Sequence, residues 1–131
     1  MMNQDNNVFG EVIHSYTRKQ AIEDGVLVDV TKLAKEVGWV TPVALTRAVW
    51  DRYVKIPDGV TGQDETGRLW DLLWICRIQA RLRGEGPEML FKLHVRNDNR
   101  EDNPPLVTLK AHCGPGDDRA AVVTILLPDE D

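Results

Sequence analysis

The chain has 131 residues, 42% of them hydrophobic, with 16 basic and 21 acidic side chains and a formal net charge of −5. That suits one domain, is too apolar for a disordered polypeptide, and holds no run of ~20 apolar residues such as a membrane span needs. The opening MMNQDNNVFG lacks the basic start and apolar core of an export signal, so a cytoplasmic protein is expected.

Residues 1–7 are polar and read as a frayed or disordered tail, and residues 8–131 as a single α+β domain. Val8 to Ile13 reads as an edge strand. Thr17-Arg18-Lys19-Gln20 fits a capping box, and Gly25 supplies the stop of the short helix it opens. Val26 to Val30 is rich in β-branched residues and reads as a strand that joins the sheet. Thr31 is expected to cap a second helix that stops at Gly38. Thr41-Pro42 then looks like a cap with proline at the first helical position, opening a helix to about Lys55. Pro57-Asp58-Gly59 begins a polar loop over residues 57–67.

A long helix is expected from about Arg68 to Arg83, with Leu69, Leu72, Leu73, Cys76 and Ala80 at helical spacing. Trp70, Trp74 and Ile78 continue around its side, which predicts a central helix packed on more than one side. After Gly84 and Gly86 the period changes to two. Met89, Phe91, Leu93 and Val95 form one face of a strand. Val107, Leu109, Ala111 and Cys113 form one face of the next, and Ala120 to Leu127 is the last. These three strands make an antiparallel meander with the helical N-terminal half on one face. Cys76 and Cys113 lie in apolar runs and are expected to be buried free thiols.

Net charge is −3 over residues 1–65, +2 over 66–110 and −4 over 111–131. The second sheet face gathers Lys92, His94, Arg96, Thr108, Lys110, His112 and Thr124. It is either a solvated face or a docking surface for a phosphate-rich or acidic partner. His94 and His112 share that face while Cys113 points to the other, so no metal site is expected. Gly114-Pro115-Gly116-Asp117-Asp118 reads as a turn, because its acidic residues would repel a phosphate. Asp129-Glu130-Asp131 reads as a solvated tail. Trp70 and Trp74 are expected in the core, and Trp39, after a glycine stop, is expected to be partly exposed.

Ile13-His14-Ser15, a short helix ending Ile22-Glu23-Asp24-Gly25 and a following strand resemble the opening of ADP-ribosyltransferase domains. The resemblance implies that His14 contacts a nicotinamide ribose, with Tyr16 or Tyr53 as a stacking partner; no catalytic glutamate is assignable.

At the level of whole motifs the chain resembles a family of small uncharacterised proteins carried on bacterial plasmids and integrative elements. The matching blocks are Val8 to Ile13, Tyr16 to Val30, Pro42 to Trp50, Gly67 to Asp71, Cys113 to Asp118 and Thr124 to Pro128. That resemblance implies an accessory protein of mobile DNA and carries no functional residues. The resulting expectation is a non-enzymatic protein-binding factor without cofactor or metal, such as an inhibitor of a host defence complex, CRISPR effectors included. An ADP-ribosyltransferase-like enzyme and a nucleic-acid-associated accessory protein are the alternatives. The interface candidates are Trp39, Arg47, Tyr53 and Arg68 as exposed anchors, Lys92, His94, Arg96, Lys110 and His112 on the basic face, and Asp117 and Asp118 at the acidic end. Few free cations and no interleaved aromatics argue against direct nucleic-acid binding.

Overall fold

A computed structural model describes residues 16–84 and 86–130. The expected tail, the Val8–Ile13 strand and His14 lie outside the described residues. The elements run α1 (Arg18–Glu23), β1 (Leu27–Asp29), α2 (Thr31–Val37), β2 (Val43–Thr46), α3 (Arg47–Val49), a π-helical turn (Trp50–Val54), α4 (Glu65–Arg83), β3 (Glu88–His94), β4 (Leu106–Pro115) and β5 (Ala121–Leu126). The strands form one sheet in the order β1-β2-β5-β4-β3. The pairings are antiparallel except β2 with β5, which run parallel. The α+β reading stands, with helices first and the antiparallel β3-β4-β5 meander after them.

The sheet's two faces follow from strand parity. Val43, Leu45, Phe91, Leu109 and Ile125 are all at most 1% exposed and form one face of the core. Ala34 and Val37 of α2, Val49 of α3, Val54 of the π turn and Leu72, Leu73 and Cys76 of α4 close over them. α1 sits on the other face. Its Ala21 is buried, and Arg18 Nη1 donates to Thr124 Oγ1 at 2.7 Å there.

The helix expected from Pro42 to Lys55 is corrected. Val43 to Thr46 is a strand buried on both faces, with registers Val28↔Leu45 to β1 and Leu45↔Ile125 to β5. Four residues with no polar side pattern carry no period, and a doubly covered strand has none to show. The helix starts at Arg47, four residues after Val43, with Thr46 rather than Thr41 as its cap; Thr46 Oγ1 accepts from Val49 N–H at 3.3 Å. Thr31 is also redirected. Its hydroxyl donates to Asp29 Oδ1 and accepts from Val43 N–H, stitching β1 to β2 instead of capping α2.

The outer edge of β3 is sealed by α4. Gln79 Nε2 donates to Lys92 O at 2.7 Å and Gln79 Oε1 accepts from Lys92 N–H at 3.2 Å, so one side chain satisfies both main-chain groups of an edge residue. Arg83 donates to Glu88 O further along. A strand edge left open would invite another chain to pair with it.

Candidate functional site

The expected anchors are dispersed by the fold. Arg47 is exposed, donating Nε–H to Gly25 O at 3.0 Å. Trp39 is half-buried, and its indole Nε1–H donates to Leu73 O at 3.1 Å. Tyr53 is half-buried against the core on the π turn. Tyr16, the other stacking candidate, is exposed and donates its hydroxyl to Asp24 Oδ2 at 2.6 Å, a bond that raises its pKa. Tyr16 and Tyr53 line separate grooves.

Arg68 is corrected from exposed anchor to buried clasp at 8% exposure. Its Nε–H donates to Val54 O at 3.0 Å, Nη1 to Gln63 Oε1 at 3.0 Å and to Arg96 O, and Nη2 to Asn97 Oδ1 at 2.6 Å. The physical reason lies in the π turn. A helix end leaves main-chain carbonyls without partners, and here Arg68 takes Val54 O while Asn97 Nδ2 takes Arg52 O. Burial lowers the guanidinium pKa from its ordinary value.

The basic face is largely spent on internal contacts. Lys110 Nζ donates to Glu130 O at 2.6 Å, and His94 Nδ1 lies 2.8 Å from Pro104 O. Arg96 pairs with Asp98 at 2.7 Å and Asp102 at 3.2 Å, which raises its pKa and lowers that of Asp98. Lys92 is exposed and His112 half-buried, with its ring against Gly114. The acidic end is spent too. Asp118 Oδ1 accepts from Ala120 N–H at 3.0 Å within the turn. Glu130, expected in a solvated tail, is half-buried and accepts from Thr46 Oγ1 and Leu127 N–H, both at 2.8 Å.

Asp117 reaches back across the chain to α1. Its Oδ1 accepts from Arg18 N–H at 2.9 Å and its Oδ2 from Lys19 N–H at 3.0 Å. Those bonds, with the nearby Arg18 charge, lower the carboxyl pKa. A depressed folded pKa stabilises the native state above the unfolded carboxylate value of ~3.9 and is lost as pH falls through the folded value. Asp117→Asn is therefore expected to reduce the fall in melting temperature between pH 5 and pH 3, measured by circular dichroism. An unchanged pH slope would contradict that linkage.

Cys76 is buried as expected, and burial pushes its thiol up to about 12. Cys113 is exposed, contrary to expectation, because burial along β4 is confined to Leu109 and Ala111 in the middle of the strand. Among the described residues no group of three His, Cys, Asp or Glu side chains is placed to hold a metal ion, and no helix is long and apolar enough to cross a membrane.

What remains unspent is the outer side of α4. Trp70 and Trp74, expected in the core, are 37% and 41% exposed. At 100° per residue, Leu69, Leu72, Leu73 and Cys76 cluster on one side. Trp70, Trp74, Ile78 and Arg81 lie on the opposite one. An apolar residue count cannot tell a helix packed all round from one with a second, uncovered apolar strip. Asp64 Oδ1 accepts from Gly67 N–H at 2.6 Å and begins the helix three residues before the expected start. A groove of about 590 Å³ runs beside Trp70, floored by Gly67 and walled by Gln63, Asp64 and Asp71. Arg77 flanks the strip and is fixed by donating Nε–H to Gly38 O at 3.1 Å.

A model of a family of unknown function matches residues 5–131. The chain belongs to that family, DUF6573. No curated protein and no solved structure matches it. The DUF6573 match spans β1 through β5 and every helix above, so the tryptophan strip of α4 and the Arg68 clasp both lie inside the family's extent.

Proposed function

We propose that this DUF6573 protein is a protein-binding factor that docks through the outer side of α4. The observation that carries this reading is the solvent-facing pair Trp70 and Trp74 on a 19-residue helix. Two large aromatics that keep about two-fifths of their surface in water forgo part of the burial that such side chains usually obtain. Trp and Arg are the residues most enriched among interface anchors, and a rigid helix presents them with little ordering cost. Arg77 and Arg81 border the strip while Asp64 and Asp71 stand beside Trp70, so the surface suits an apolar partner face with charges of both signs at its rim. Support thus rests on α4 rather than on the acidic C-terminal segment, whose Asp117 and Asp118 are engaged within the fold.

The partner we put forward is a component of a host defence complex, a CRISPR effector among the candidates. That part rests on the resemblance to proteins of bacterial plasmids and integrative elements. The test is pull-down with tagged full-length protein from a host carrying such a complex, followed by titration of the recovered partner. Wild type is expected to recover it stoichiometrically. Trp70→Ala and Trp74→Ala are each expected to weaken binding by about 30-fold, equivalent to ~2 kcal/mol, with the circular dichroism spectrum unchanged. Equal binding by the double variant, or no stoichiometric partner for wild type, overturns the reading.

A further inference from the structure

We propose that a second copy of this chain docks on the outer side of α4, antiparallel and about a two-fold axis. It thereby competes with the partner proposed above, and to that extent rests on the strip being a docking surface. Side chains four apart on a helix stand one above another. Trp70, Trp74, Ile78 and Leu82 keep that spacing and form a ridge along about three and a half turns, opposite the side that carries Leu69, Leu72, Leu73 and Cys76. Leu82 is 82% exposed, Ile78 is half-buried, and both tryptophans face solvent. An apolar ridge left open along a helix marks an interaction site.

The charges beside the ridge select its occupant. Asp64 and Asp71 stand at the Trp70 end, and Arg77 and Arg81 at the other. Acidic residues at a helix start and basic ones at its end suit the helix's own dipole, but that effect fades within one turn. Asp71 lies about two turns in, and Arg77 almost two turns before the end, so the polarity belongs to the surface. Asp71 and Arg81 are exposed, and neither forms an ion pair among the described residues. A second copy running antiparallel supplies the complementary polarity from the same residues. With the two-fold axis level with Cys76, Asp71 comes level with Arg81 of the second copy, Trp70 with its Leu82 and Trp74 with its Ile78. One register therefore serves both the charges and the ridge, and each pairing occurs twice, as a two-fold contact requires. A contact along one helix about 28 Å long is small beside the ~1,200–2,000 Å² of a stable interface, so a weak, reversible dimer with a Kd of about 50 µM is expected.

The test is sedimentation equilibrium of the purified full chain at physiological salt, from about 5 to about 500 µM. Wild type is expected to pass reversibly from monomer to dimer. Asp71→Arg and Arg81→Asp alter exposed side chains, and each sets two like-charge contacts across the two-fold axis. Either alone is expected to weaken the dimer by roughly tenfold or more. Mixed in equal amounts, the two variants restore opposite charges at both contacts and are expected to associate within about threefold of wild type. That rescue separates lost pairing from lost folding. A wild-type chain still monomeric at about 500 µM, single variants that associate like wild type, or a mixture that does not associate overturns the proposal. No partner is present in these measurements, so their failure is distinct from failure of the pull-down.

Discussion

Arg68→Met is expected to cost about 3 kcal/mol of folding stability, lowering the melting temperature by ~10 °C for a chain of this size. Methionine keeps much of the buried stem and removes only the guanidinium, so the loss measures the clasp rather than a cavity. Four acceptors lose the guanidinium: the carbonyls of Val54 and Arg96 and the amide oxygens of Gln63 and Asn97, of which Arg96 O keeps the Gln63 Nε2–H donor at 3.1 Å. Hydrogen bonds to a charged donor contribute ~1.5–3 kcal/mol, and a buried acceptor left without one forfeits ~1–3 kcal/mol. The sum is not simply additive, because the loop can relax and admit water, which sets the expectation near the middle of the range.

Lysine is not a substitute there. Its ammonium is a single point, whereas the planar fork of Arg68 reaches three segments at once: the π turn, the 57–67 loop and the strand end at Arg96. Arg68→Lys is therefore expected to recover less than half of the lost stability in urea denaturation. A melting temperature within about 2 °C of wild type for Arg68→Met would show that the clasp contributes little. Trp70 is two residues from Arg68 and faces the other way. Partner binding by folded Arg68→Met should accordingly stay near wild type, separating stability from docking.

Local chemistry was legible where a residue acts on its own neighbours. Thr17 and Gln20 form the expected reciprocal cap, at 3.0 Å and 2.9 Å, and Gly25 and Gly38 take the positive φ values of +77° and +126° that stop their helices. The two-residue period of β3 reads out directly as Met89, Phe91 and Leu93 buried and Leu90, Lys92 and His94 exposed. What was not legible depends on partners distant in the chain. Val43 to Thr46 is a strand only because β1 and β5 close on it from either side. Arg68 is buried only because the π turn ends in carbonyls with nowhere else to turn. Its capacity for five donors was visible, but the acceptors stand up to 29 residues away.

The candidate site shows the same division. A pair of tryptophans four residues apart on one helix is plain in the sequence. Whether the pair faces a core or the solvent depends on how many layers cover α4, a property of the whole fold.

Phe91→Ala is expected to produce the larger loss, about 4 kcal/mol, because its ring is 1% exposed and is the largest fully buried side chain of the described residues. It stands opposite Leu109 on β4, on the face that receives α4. Removing a ring from a close-packed layer loses its transfer free energy and leaves a cavity that the sheet closes only in part. Phe91→Leu keeps most of the volume and is expected to cost under ~1.5 kcal/mol. Leu90, one residue earlier, is 62% exposed, and Leu90→Ala is expected to change stability by no more than ~0.5 kcal/mol. Equilibrium urea unfolding of the three variants thus tests the strand's register residue by residue. Comparable losses at positions 90 and 91 would mean that both faces of β3 are covered. The outcome bears on docking as well, since α4 rests on β3 and presents Trp70 and Trp74 from the opposite side. If α4 is a rigid platform, folded Phe91→Ala at low temperature binds the partner several-fold more weakly than Phe91→Leu, because the cavity loosens the floor beneath the helix.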